Sequence, residues 1–404
     1  MKRILVLSDS ASIQDLNNRS NLNVLIEMNC EIHIGCNFFS GNTTSAERVF
    51  AFRDELAEAG IKYHQLSFVP SRNPMEKQPA AQAEIEALIR KHRFDLVHCL
   101  TPSCLQCAGQ AAQARGIPVI FTSYGFPFYK GSPLYKKLRY FPKLKKAARY
   151  ANTLICSNYE DFEFANDKLP VKHICRIPGI GLDPYRFRAP TVDRAHMREL
   201  MEIPQNAVTM ITIGALTAEK NHAVILKALS HLKMLEIHYV ICGAGPKAEY
   251  LYQLTRQLNL EDKVHFTRHR DDVANLLHAS DIFCLPSKQE GIGMAALEAM
   301  EAGLPLITSD VQGINDFMEN GVTGFMFSPN DVKGFTAGIE ALTEDKRMRK
   351  RMGEHNRFAV EPFYRGNTER IMRDIYQMYL YTSDEEEPEI STKKKRRRRT
   401  QAKA

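Results

Sequence analysis

No run of apolar residues in this chain of 404 approaches the roughly 20 needed to cross a bilayer. Residues 1–8, Met-Lys-Arg-Ile-Leu-Val-Leu-Ser, are too short to hold the apolar core and cleavage site of a secretory signal. The start of the chain therefore reads as a first strand. Regularly spaced cysteines are missing as well. The nine present, at 30, 36, 99, 104, 107, 156, 175, 242 and 284, are odd in number and scattered. That argues for a reducing cytoplasm over a disulfide framework. Cys99, Cys156, Cys242 and Cys284 sit inside apolar runs, where a thiol behaves as a small hydrophobe. Cys104-Leu-Gln-Cys107 has no second half, which speaks against zinc. No Asp-x-Asp pair stands ready to hold a divalent ion.

What is present is an ordinary soluble composition, 44% apolar and 25% charged. The length exceeds one ordinary domain and suits two of moderate size. The net charge of +7 is uneven. Asp384, Glu385, Glu386, Glu387 and Glu389 precede the basic run 393–399, Lys-Lys-Lys-Arg-Arg-Arg-Arg. Residues 383–404 are charged and poor in apolar residues, so a disordered tail is expected there. The rest of the chain is only mildly basic.

Strand-like and helix-like patterns alternate. Short apolar runs fall at 4–7, 31–35, 63–68, 96–99, 118–122, 153–156 and 173–177, with helical stretches such as 80–93 and 105–115 between them. A second series falls at 208–213, 238–242, 264–266, 282–285, 304–308 and 324–327. This order implies α/β architecture: two doubly wound, Rossmann-like domains of parallel strands with helices on both faces. The glycine and proline cluster Pro178-Gly-Ile-Gly-Leu-Asp-Pro184 marks the join. The expected division is 1–183, 184–364, a C-terminal helix over 365–382 that could cross back to the first domain, and the tail 383–404. Two such domains face each other across a cleft, and ligands bind outside the carboxyl ends of the strands.

The most informative segment is Glu290-Gly-Ile-Gly-Met-Ala-Ala-Leu-Glu298, directly after the apolar run Asp281-Ile-Phe-Cys-Leu-Pro286. It reads as strand, glycine loop, helix start. A helix start offers free N–H groups and the positive end of the dipole, which suits a phosphate. Carboxylates flanking an anion site make sense only if they bind something else, such as hydroxyl groups. Glu298 lies about 7 Å further along the axis than Gly293, while Glu290 stays in the loop. The two acids can thus bracket a diphosphate, which is the layout of a nucleotide sugar. The alternative, a solvated helix with acids of no consequence, is weakened by the neighbours. Gly214-Ala-Leu-Thr-Ala-Glu-Lys220 follows the first strand of the second domain, where Lys220 can meet phosphate as a point charge. Gly243-Ala-Gly-Pro246 is another strand-to-helix turn, weak by itself.

Together with Ala299-Met-Glu-Ala-Gly-Leu-Pro305, these motifs resemble glycosyltransferase family 4. In the first half, His98-Cys-Leu-Thr-Pro102, Thr122-Ser-Tyr-Gly-Phe-Pro-Phe-Tyr-Lys-Gly-Ser-Pro133 and Ile177-Pro-Gly-Ile-Gly-Leu-Asp183 resemble its bacterial capsular and exopolysaccharide branch. The resemblance covers about residues 1–382. It implies the two-domain GT-B fold and transfer of a hexose from a nucleotide diphosphate sugar, UDP-linked by branch habit, with retained anomeric configuration. The acceptor would be a glycan or a lipid-linked molecule. Glu290 would contact the donor sugar, and the backbone of Gly291, Ile292, Gly293 and Met294 would hold the diphosphate. Glu298 would bind the ribose, Gly214 and Lys220 would serve the diphosphate, and Arg268 and His269 would lie near the base. No metal or other cofactor is implied.

Two positions depart from the family pattern. Ala215 stands where many members carry arginine, and Tyr124 where the branch carries a histidine near the transferred sugar. Tyr124 can donate a hydrogen bond but cannot become a cation. With Glu290 and Lys220 it completes the expected catalytic set. These departures keep open an inactive or regulatory membrane- or nucleic-acid-binding module of the same fold, and a sugar-nucleotide epimerase is a further alternative. Paired acids could also suggest a glycosidase, but acids flanking a phosphate are not free to protonate a glycosidic oxygen. Residues 134–150 are basic and interleaved with apolar side chains, with a helix expected to break near Pro142. That stretch and 393–399 could rest on an anionic membrane, making the protein peripheral on the inner face of the cell membrane. Nucleic acid is not the expected partner.

Overall fold

The computed structural model describes residues 1–71 and 73–381. The expected disorder of 383–404 and the basic run 393–399 lie outside the described residues. All thirteen apolar runs are strands. The first sheet holds β1 (Arg3–Ser10), β2 (Glu31–Asn37), β3 (Lys62–Gln65), β4 (Leu96–Cys99), β5 (Val119–Ser123), β6 (Thr153–Cys156) and β7 (His173–Arg176). Their spatial order is β3-β2-β1-β4-β5-β6-β7. The second sheet holds β8 (Val208–Ile213), β9 (Ile237–Cys242), β10 (Val264–Arg268), β11 (Ile282–Leu285), β12 (Leu306–Ser309) and β13 (Gly324–Phe327), ordered β10-β9-β8-β11-β12-β13. Every pairing between these strands is parallel. The central strands are apolar along their length because helices cover both faces, so both sets of side chains are buried.

The helix Arg365–Leu380 returns to the first domain. Its Met372, Ile375, Tyr376 and Leu380 join Ile4, Val6, Leu96 and Ile120 in one core. Burial of each such side chain contributes about 1.5–3 kcal/mol. A polar relay fixes the register. His98 Nδ1 lies 2.8 Å from the Tyr376 hydroxyl and His98 Nε2 lies 2.8 Å from Thr122 Oγ1. Burial of this imidazole drives its pKa down to about 3, so it serves as a neutral connector. The chain passes between domains twice at one place. Leu182 N–H donates to Phe363 O at 2.9 Å and Arg365 N–H donates to Leu182 O at 2.8 Å.

One local expectation is overturned. The basic stretch forms a single helix, Leu134–Ala148, that continues through Pro142. Proline cannot bond the carbonyl of Leu138, but Leu138 and Pro142 are both exposed, so water can satisfy that carbonyl. Leu144, Ala147 and Ala148, all buried, anchor the helix on the other side.

Candidate functional site

The first sheet reverses its strand order between β1 and β4, and the second between β8 and β11. A crevice opens at the carboxyl ends of strands at such a point. The Gly214 loop follows β8 and the Glu290 loop follows β11, so the fold brings both to one crevice.

The Glu290 loop enters the helix Met294–Glu301 through Gly293, at φ 69°, and no side chain caps this helix. The N–H groups of Ile292 and Gly293 have no hydrogen-bond partner among the described residues. Unpaired amides at the positive end of a helix dipole form an anion site. Ile292 and Met294 turn their side chains to the interdomain linker. A Cβ placed on Gly179 would meet Ile292 Cδ1 at 3.0 Å and Met294 Sδ at 3.6 Å. These two residues can therefore serve a ligand only through their backbone.

Glu290 is buried, and its Oε1 accepts from Lys220 Nζ at 2.5 Å and from Ser287 Oγ at 2.6 Å. A buried carboxylate needs such partners. The sequence assigned Lys220 and Glu290 to different parts of a ligand. Here they hold each other, so each already carries a partner of opposite charge. Glu298 is the opposite case. It is partly buried, has no hydrogen bond or ion pair among the described residues, and burial pushes its carboxyl up to about 7. Such a group is ready to accept hydrogen bonds from hydroxyls.

Gly214 lies beneath the Lys220 stem; a Cβ there would reach Lys220 Cε at 3.8 Å, an ordinary contact. The turn 243–245 has a supporting role. A Cβ on Gly243 would meet Gly214 O at 1.9 Å, and Leu216 N–H donates to Ala244 O at 2.9 Å. The glycine there lets two loops pack backbone to backbone. Arg268 ends β10 at φ 56° and, like His269, is exposed. Both stand two strands from β8, roughly 10 Å across the sheet.

Tyr124 differs from expectation. Its hydroxyl donates to Asn17 O at 3.1 Å, inside the first domain, and burial raises the phenol above its ordinary range. The ring follows the apolar interior, leaving the main chain at the cleft. There its carbonyl lies so near Gly291 that a Cβ on Gly291 would sit 1.9 Å from Tyr124 O.

Sequence reasoning passed over a polar group at the carboxyl ends of β1 and β4. Asp9 Oδ1 accepts from Thr101 Oγ1 at 2.8 Å and from Ser103 Oγ. The signal was present in Ser8-Asp-Ser-Ala-Ser12, a polar run closing an apolar strand.

Residues 31–178 match the model of a glycosyl transferase 4-like domain, and residues 193–358 match glycosyl transferases group 1. The chain is also 31% identical over 292 residues to an Escherichia coli protein, covering 69% of this chain and 75% of that one. It belongs to the family 4 glycosyltransferases. The E. coli relative is named UDP-Gal:alpha-D-GlcNAc-diphosphoundecaprenol alpha-1,3-galactosyltransferase. This glycosyltransferase is 29% identical over 318 residues to EpsD of Bacillus subtilis, assigned as a glycosyltransferase, covering 76% and 83% of the two chains. The crystal structure of Anabaena HepE with UDP and glucose superposes with a TM-score of 0.76 at 18% identity, over 93% of this chain and 100% of that one. The fold is that of the GT-B glycosyltransferases.

Proposed function

We propose that this glycosyltransferase moves a hexose from a UDP-linked donor to a glycan or lipid-linked acceptor in polysaccharide biosynthesis, with retention at the anomeric carbon. The observation that carries this is the uncapped helix start at Gly293 with an unpartnered carboxylate, Glu298, one turn beyond it. The names of the relatives support the donor and acceptor classes. The diphosphate lies on the amides of Ile292 and Gly293, Glu298 accepts from the ribose, and Arg268 and His269 flank the base. On donor arrival the Lys220 ammonium passes from Glu290 to the diphosphate. Glu290 is then free to accept from hexose hydroxyls. The acceptor hydroxyl attacks the anomeric carbon on the face the diphosphate leaves. The carbon–oxygen bond to phosphate breaks with its electron pair, and the hydroxyl proton goes to the departing diphosphate. Lys220 and the helix start supply the positive charge, without a metal. Tyr124 takes part through its main chain.

The helix Leu134–Ala148 supports a peripheral membrane location on the inner face. It presents exposed Leu134, Tyr135 and Leu138 beside Lys136, Lys137, Arg139, Lys143, Lys145 and Lys146. No acidic residue occurs from 131 to 158. Among the described residues no helix is long and apolar enough to cross a membrane. Sedimentation with vesicles should show binding that requires anionic lipid and weakens with salt; binding indifferent to both would remove the membrane part.

The test of the donor assignment is a thermal-shift screen of nucleoside diphosphate sugars. A ligand that binds only the folded state raises the melting midpoint. Stabilisation by UDP-sugars over free monosaccharides is expected. A midpoint unmoved by every nucleotide sugar would overturn the assignment.

A further inference from the structure

The start of the helix Tyr159–Lys168, in the first domain, touches the second domain at two points. Asn158, its N-cap, accepts from Asp161 N–H at 2.8 Å through Oδ1. Its Nδ2 donates to Asp161 Oδ2 at 3.0 Å and, across the cleft, to Gly291 O at 3.1 Å. The next residue, Tyr159, donates its N–H to the Asp316 carboxylate of the second domain at 3.0 Å. Asp316 also accepts from Arg176, at the end of β7, at 3.1 Å. A carboxylate is thus set against the positive end of a helix belonging to the other domain. Gln289 Nε2 donates to Phe126 O at 3.2 Å and completes the contact on the far side of the loop.

These bonds do more than join two surfaces. No cis peptide occurs among the described residues, so the Gly291 carbonyl and the Ile292 N–H point in opposite directions from one peptide plane. Holding the carbonyl toward Asn158 turns the Ile292 N–H away from it. That N–H is one of the two unpartnered amides assigned above to the diphosphate. Gly291 itself has no need of glycine for its own backbone angle, since it is absent from the positive-φ residues. It must be glycine because a Cβ there would sit 1.9 Å from Tyr124 O, and the approach is close from the other side too, since a Cβ on Gly125 would stand 3.5 Å from the Gly291 Cα.

We infer that Asn158 is a positioning residue for the donor. Its side-chain amide orients the peptide between Gly291 and Ile292, so that the phosphate-binding amide faces the cleft only when the domains meet, and Asp316 holds the helix end in place for that bond. The first domain thereby takes part in gripping the leaving group although it touches none of it. This rests on the donor assignment proposed above.

The test uses the full chain with UDP as probe, followed by calorimetry, and ligand-free melting measured alongside. Asn158→Ser keeps an oxygen to cap the helix but removes the amide donor. UDP affinity should fall about three- to tenfold, the worth of one hydrogen bond. The ligand-free melting midpoint should fall by a few degrees, because the bond from Nδ2 to Asp161 is lost as well, so the deciding readout is UDP affinity at a temperature where the variant is fully folded. Asp316→Asn should weaken UDP less, because it loosens the clasp without touching the loop. A purely structural contact would lower the midpoint of Asn158→Ser and leave the UDP affinity of the folded protein unchanged; that result overturns the inference alone. Failure of the parent chain to bind UDP, GDP or ADP sinks the donor assignment and the inference with it.

Discussion

Lys220 and Glu290 show how one ion pair can serve two states. Each is the other's partner here, and the proposed mechanism has the same donor draw both apart. Replacing Glu290 by Gln keeps the shape but removes the charge that parks Lys220. Transfer should drop by about two to three orders of magnitude, a loss typical of a preorganised group facing the reacting centre. Circular dichroism and melting should show a folded protein; full activity would remove Glu290 from the site. Glu298 supports a pH prediction. Its folded pKa of about 7 lies above the ordinary carboxylate value because burial disfavours the charge. Above pH 7 the folded chain therefore carries a strained anion that hydroxyl donors relieve. Donor KM should rise as pH falls from 8 to 6, and Glu298→Gln should flatten that dependence. The same variant should melt higher than the parent at pH 8 without ligand, since a group whose folded pKa is raised destabilises the fold above it.

At the level of elements, the sequence announced the central strands most plainly, because parallel strands buried on both faces are short apolar runs, whereas the largely exposed edge strand β3 overlaps its run at 63–68 only in part. It also announced the Gly293 helix start. It could not announce Asn158 or Asp316. An N-cap asparagine and a loop aspartate look alike in every helical protein, and their partners lie more than 130 residues away in the chain. The partner of the Tyr124 hydroxyl was hidden for a related reason. Position in a motif places the main chain, whereas the packing of Asn17 against it decides where the hydroxyl goes. The helix Leu134–Ala148 was expected to break because proline counts against it, yet the exposed setting of Leu138 and Pro142 makes the defect tolerable. Pro142→Ala should restore that hydrogen bond and stabilise the protein by about 1–3 kcal/mol, read from denaturant unfolding. Gly291→Ala should do the reverse to function. Its methyl group would overlap Tyr124 O, so the domains must part. Activity should be lost at nearly unchanged melting, and an active alanine variant would show that the closed contact is dispensable.

For the whole molecule, the weight falls on the returning C-terminal helix. Ile375→Ala, beneath the first sheet, should cost about 2–5 kcal/mol and act on the first domain although residue 375 follows the second. Hydrogen exchange should localise the loss to strands β1, β4 and β5; a loss confined to the second sheet would contradict the shared core. The two crossings near Leu182 and Arg365 lie side by side, so the second domain is in effect an insertion into the first. A chain emerging from the ribosome would therefore complete its later half before its earlier one. The opening 180 residues must wait, with part of one face of their sheet uncovered, until the helix Arg365–Leu380 arrives to close it.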